Sequence, residues 1–184
     1  MQSGSKFANR FMDQTIEKII VVLIASLSLI GCRPEYNKEN PLAVVDKENG
    51  NFRLKVTAYP EQRDFAQVAA GAYYVFEVKT KDDHGWKEIM VFRHDDPIPI
   101  NEDGIKFVTE NVAYVFMGWK YAVTTDGGKS WKVWDSSRNP ITKGHVIQNV
   151  ELQENGEGVM QMEEIVGEQL LILYTRDYGI SWST

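Results

Sequence analysis

From residue 42 onward, apolar and polar residues alternate with a period of two, the repeat of a half-buried strand rather than the 3.6-residue repeat of a helix. "LAVVD" and "FRLKVTAY" flank the turn string "KENGN", which contains Asn-Gly, a strong hairpin signal. "GAYYVFEVKT" and "WKEIMVF" flank "KDDHG". "IKFVT", "VAYVFM" and "KYAVT" follow, and the turn "TDGGKS" leads into "WKVWD". After a loop rich in turn formers, "DSSRNPITKG", come "HVIQNVEL", "VMQMEEI" and "QLLILYT", the first two separated by "QENGEG". The best helix candidate spans residues 61–70, where Phe65, Val68 and Ala69 fall at i, i+3 and i+4; a loop is its equal alternative. Many short strands with frequent turns predict an all-β antiparallel domain.

The residues before this region read differently. Lys18 precedes an uncharged, mostly apolar run of 12 residues, Ile19 to Ile30, and Gly31 and Cys32 follow. A spanning helix needs about 20 residues. A charged flank, a short apolar core and small residues near its end mark an export signal. Its ending, Leu29-Ile30-Gly31-Cys32, resembles the lipobox of bacterial lipoproteins. That resemblance implies cleavage before Cys32 and a lipid on its sulfur. The bland alternative is a buried helix with Cys32 as a structural thiol. Polar residues begin at once after the cysteine, as in a tether. The expected organisation is a signal peptide over 1–31, a lipidated tether over 32–41 and the β domain over 42–184, with Met12 as an alternative start. Arg33 stands where inner-membrane lipoproteins of enterobacteria carry Asp, so the resemblance points to the outer membrane, facing the periplasm.

Charge narrows the partners. The chain has a net charge of -6 and no basic cluster, which argues against nucleic acid. Five charged residues (Lys6, Arg10, Lys18, Asp13, Glu17) precede Cys32, so the remainder keeps 17 basic and 24 acidic residues, net -7. Such a body would be held to an anionic membrane by its lipid rather than by charge.

Two eight-residue strings obey one rule. "TTDGGKSW" (124–131) and "TRDYGISW" (175–182) both read Thr, any, Asp, any, Gly, any, Ser, Trp. The pattern resembles the Asp-box, a hairpin motif of sialidases and other β-propellers. The residue types suit a turn. Asp accepts from backbone N–H groups, Gly allows positive φ, hydroxyls satisfy further groups, and Trp lays a large ring beneath the turn. The structural set is Thr124, Asp126, Gly128, Ser130 and Trp131, and Thr175, Asp177, Gly179, Ser181 and Trp182. "TKDDHGW" (80–86) resembles a decayed third copy, with Thr80, Asp82 and Trp86 but one residue short. The starts at 80, 124 and 175 are 44 and 51 residues apart, close to a propeller blade of about 40–50 residues. Room for about three blades predicts a small propeller-like or sandwich-like domain, since closed propellers usually have about four or more. As metal ligands the boxes are poor, because calcium takes about six to eight oxygens and each box offers one carboxylate.

No catalytic set is visible. There is no Gly-x-Ser-x-Gly elbow. His84, His94 and His145 lack metal-ligand spacing, and "DPIPI" has Ile-Pro without the arginine of a sialidase. "RHDDP" (93–97) is the most polar local cluster, readable as a base or ligand set or as a solvated loop. No cofactor is expected, and the chain reads as a binding protein rather than an enzyme. A lipobox followed by a compact β domain with Asp-box turns resembles the immunity lipoproteins of type VI secretion lipase effectors. That resemblance implies a periplasmic protein that binds an incoming phospholipase and blocks it. Tyr73, Tyr74, Trp119 and Trp134 are the candidate aromatic anchors for such a partner, though such residues more often belong to the core because alternate strand positions face inward. The alternative of another class is a carbohydrate-binding or sialidase-like envelope lipoprotein without a complete catalytic set; an envelope scaffold is a third reading.

Overall fold

The expected alternation emerges as eleven strands in three antiparallel sheets, in a computed structural model that describes Tyr36, residues 38–61, 71–167 and 169–184. The signal peptide, Met12, Cys32 and all but Glu61 of the helix candidate lie outside the described residues. Among the described residues no α-helix occurs.

Each sheet is a meander in chain order. The first joins β1 (Ala43–Glu48), β2 (Phe52–Pro60), β3 (Ala72–Thr80) and β4 (Lys87–His94). The second joins β5 (Ile105–Phe107), β6 (Ala113–Met117), β7 (Lys120–Thr124) and β8 (Lys132–Asp135). The third joins β9 (His145–Leu152), β10 (Gly158–Glu164) and β11 (Leu170–Thr175). A short bridge adds a fourth rung to it, with Tyr174 and Ser183 exchanging backbone hydrogen bonds of 2.7 and 3.0 Å. Three blade-like units of four rungs result, and no sheet closes on itself into a barrel.

Turn chemistry sets the hairpins. In "KENGN" the Asn49 side chain accepts from the N–H of Asn51 and Phe52 at 3.1 and 3.2 Å, and Gly50 takes the left-handed φ of 86°. The Asn49 amide also donates to the Thr109 carbonyl at 3.3 Å, tying the first hairpin of sheet one to that of sheet two.

Strand parity builds two cores. Phe52, Leu54, Val56 and Ala58 of β2, with Tyr74, Phe76 and Val78 of β3, form one cluster with Ala113, Val115 and Met117 of β6. The intervening residues of β6, Tyr114 and Phe116, enter a second cluster with Ile147, Val150, Met160, Met162 and Leu173 of the third sheet. The continuous apolar run "AYVFM" is therefore buried on both faces, as a strand between two layers must be. The Tyr114 hydroxyl donates to the Val150 carbonyl, and the Ile147 N–H donates to the Gly118 carbonyl at 2.7 Å, fastening sheet three to sheet two.

Candidate functional site

Both matching strings occupy the same place in their sheets, the turn after the third strand. They follow β7 and β11, and "TKDDHGW" follows β3. Their bonding is nearly superimposable. The Thr124 hydroxyl donates to Asp126 Oδ1 at 2.8 Å and accepts from the Gly128 N–H at 3.0 Å; for Thr175, Asp177 and Gly179 the values are 2.7 and 2.9 Å. The Ser130 N–H and hydroxyl reach Asp126 at 2.9 and 2.5 Å, and those of Ser181 reach Asp177 at 2.9 and 2.6 Å. Burial pushes both carboxyls up, but the bonds from Ser130 and Thr124, and from Ser181 and Thr175, outweigh it and hold them below the usual 3.8. Each box is also pinned to the first hairpin of its own sheet. The Gly127 N–H donates to the Asn111 carbonyl, and the Tyr178 N–H to the Gly156 carbonyl, both at 2.9 Å.

The tryptophans work between sheets. Trp131 packs half-buried against the cluster between sheets one and two, and its Nε1 donates to the Gly128 carbonyl at 3.3 Å. Trp182 packs on the cluster between sheets two and three. Each box thus seals its own sheet to the preceding one. The turn at Lys81–Trp86 departs from this. Its working acid is Asp83 rather than Asp82, since Asp83 accepts from the Thr80 N–H and hydroxyl at 3.0 and 2.7 Å. An ion pair with Lys87 and the Thr80 bonds lower its pKa to about 2. Trp86 lies on the outer face of sheet one, under Lys55 and Arg53 at 4.2 and 5.5 Å. The missing residue explains it, because a one-residue slip sends a strand side chain to the opposite face.

The aromatic candidates do not converge. Tyr74 is fully buried, its hydroxyl bonded to the backbone of Ile98 at 2.6 Å, so it presents nothing to a partner. Trp119 meets Phe92 edge-on in the first cluster, and Trp134 packs against the second. Tyr73 stands half-exposed on the outer face of sheet one, where Tyr36 stacks on both Tyr59 and Tyr73 at 5.1 and 5.4 Å. "RHDDP" is a braced turn. Arg93 pairs with Glu61 and Asp95, and the His94 ring bonds to the backbone of Asp96. Among the described residues, no group of three or more His, Cys, Asp or Glu side chains is arranged to hold a metal.

The surface that stands out lies elsewhere. Ile165, Val166, Leu170, Ile172, Tyr174 and Ile180 are six of the ten exposed large hydrophobic residues among those described. Leu170, Ile172 and Tyr174 form a stripe along β11 on the face turned away from sheet two, with Val159 beside Tyr174 on β10. A groove of about 510 Å³ continues it, lined by Tyr174, Arg176, Trp182 and Thr184. The signal for this surface was the run "QLLILYT". It is as continuously apolar as "AYVFM", but only one of its faces is covered.

Comparison with protein families, curated proteins and solved structures finds no match.

Proposed function

We propose that this chain is a periplasmic immunity lipoprotein that neutralises a type VI secretion phospholipase by direct protein contact. The observation that carries this reading is the uncovered apolar stripe of β11 in a domain whose other doubly apolar strand, β6, is closed on both faces. The largest contiguous apolar patch on a monomeric protein is often a functional contact surface. The lipobox-like "LIGC" and the paired boxes supply the rest of the support. In this account the lipid at Cys32 confines the domain to the membrane that the toxin attacks, which raises its effective concentration there. The domain then acts by covering the enzyme rather than by chemistry.

The test is hydrolysis of phospholipid vesicles by the phospholipase that the producing strain secretes, with and without the purified full-length chain. Stoichiometric loss of hydrolysis is expected; undiminished hydrolysis at excess chain overturns the reading. A second reading, glycan binding, draws on the ring ladder of Tyr36, Tyr59 and Tyr73 beside Arg93, whose guanidinium lies 6.0 Å from the Tyr73 ring. Saturable binding of an envelope glycan, lost in Tyr73→Ala, would favour it.

A further inference from the structure

We infer that the free edge and outer face of β11 form a docking site for an extended, basic strand of a protein partner, which adds to the third sheet as a further rung. This deepens the binding-protein reading and rests on it.

The edge is open. Tyr174 bonds outward to Ser183, so by antiparallel alternation Leu170 and Ile172 also turn their N–H and C=O groups away from β10. The Glu164 N–H to Gln169 carbonyl bond fixes the same alternation from the other end. Neither Leu170 nor Ile172 has a backbone partner on that side among the described residues. Proteins protect such edges with charge, proline or a bulge. Residues 169–175, "QLLILYT", contain no charge and no proline, and no bulge interrupts the pairing of β10 with β11. Strand addition on an edge of this kind draws main-chain hydrogen bonds from the rung and side-chain contacts from alternate residues. Here the main-chain bonds would fall at Leu170 and Ile172, because Ser183 already takes the edge at Tyr174, whose ring stays available as a side-chain contact on the outer face.

Charge selects the occupant. Residues 145–184 hold seven acidic residues and one basic, Arg176, a net charge of -6 equal to that of the whole chain. Rows across the outer face run from the apolar stripe into polar and acidic neighbours. Leu170 sits beside Glu163, Ile172 beside Gln161, and Val159 lies between Tyr174 and Glu151. A second copy of this chain would bring two acidic sheets together and be repelled. A strand alternating apolar residues with lysine or arginine would meet both the stripe and its rim, and encounter would be steered by the field.

The probe is a labelled peptide alternating lysine and valine, offered to the full-length chain in detergent at low salt. Binding is read by anisotropy, and its site by amide hydrogen exchange. The expected result is salt-sensitive binding that slows exchange at Leu170 and Ile172 by about tenfold. An otherwise identical glutamate–valine peptide should not bind. The Ile172→Lys variant, which alters only an exposed side chain, should keep the wild-type unfolding midpoint and lose the peptide. Unchanged exchange at Leu170 and Ile172 under saturating peptide would overturn the inference. So would equal binding of the acidic peptide, or self-association through β11 seen by sedimentation. A chain that inhibits the phospholipase equally well with Ile172→Lys would sink this site and leave the function standing. A chain that takes the peptide on β11 but leaves the phospholipase untouched would do the reverse.

Discussion

The indole of Trp182 meets the ring of Tyr121 edge-on, with centroids 5.6 Å apart and planes at 82°. Through this contact the second box reaches out of its own sheet and grips β7 of the second. Trp131 does the corresponding work one sheet earlier. Truncating a fully buried indole costs about 3–5 kcal/mol. Both rings are only partly buried, so Trp131→Ala and Trp182→Ala should each lose about 2–3 kcal/mol in urea unfolding. Midpoints within error of wild type would remove the boxes from the stability of the fold.

Gly179 and Tyr121 should be energetically coupled. Gly179 has φ 79°, and a Cβ there would lie 2.1 Å from the Tyr121 hydroxyl. That hydroxyl is buried with no hydrogen-bond partner among the described residues. Tyr121→Phe should therefore be neutral or stabilising by about 1 kcal/mol, because a stranded polar atom is removed. Gly179→Ala should cost about 2 kcal/mol or more. Part of that cost should return in the double variant, a coupling that a double-mutant cycle measures directly. Simple additivity would contradict the close approach.

The box carboxylates set an acid limit. Asp126 and Asp177 are held below 3.8 in the fold, and Asp83 at about 2. A lowered carboxyl stabilises fully above its unfolded value and ceases to as pH falls through the folded one. Unfolding midpoints should thus be insensitive to these groups near neutrality and decline from about pH 4 towards pH 2. The variant carrying both Asp126→Asn and Asp177→Asn should be less stable at pH 7 and decline less steeply. An unaltered slope would show that the carboxyls do not govern acid unfolding.

Much of the architecture was legible because period-two alternation and turn chemistry act locally. "KENGN", "TDGGKS" and "QENGEG" mark hairpins by residues that need special backbone angles or accept turn N–H groups. The paired boxes gave the repeat length, and with it three units. Layer order was not legible. "AYVFM" and "QLLILYT" look alike as strings, yet only the layer on either side decides that β6 is closed and β11 open. Tyr73 and Tyr74 likewise differ only in parity, which sends one to the outer face and the other to the core. In the turn at 80–86, one residue shorter than the two boxes, the acid that bonds Thr80 is Asp83 and not Asp82, a difference that spacing alone does not reveal.

The proposed lipid anchor at Cys32 has its own test. Cys32→Ser should abolish labelling by palmitate and leave the precursor uncleaved in cell fractions. Labelling equal to wild type would rule out the lipobox.

The most direct measurement is vesicle hydrolysis by the secreted phospholipase in the presence of the wild-type chain or of Ile172→Lys at matched stability. The wild type should stop hydrolysis and the variant should not. Hydrolysis that continues unchanged with the wild-type chain in excess would contradict the proposed function.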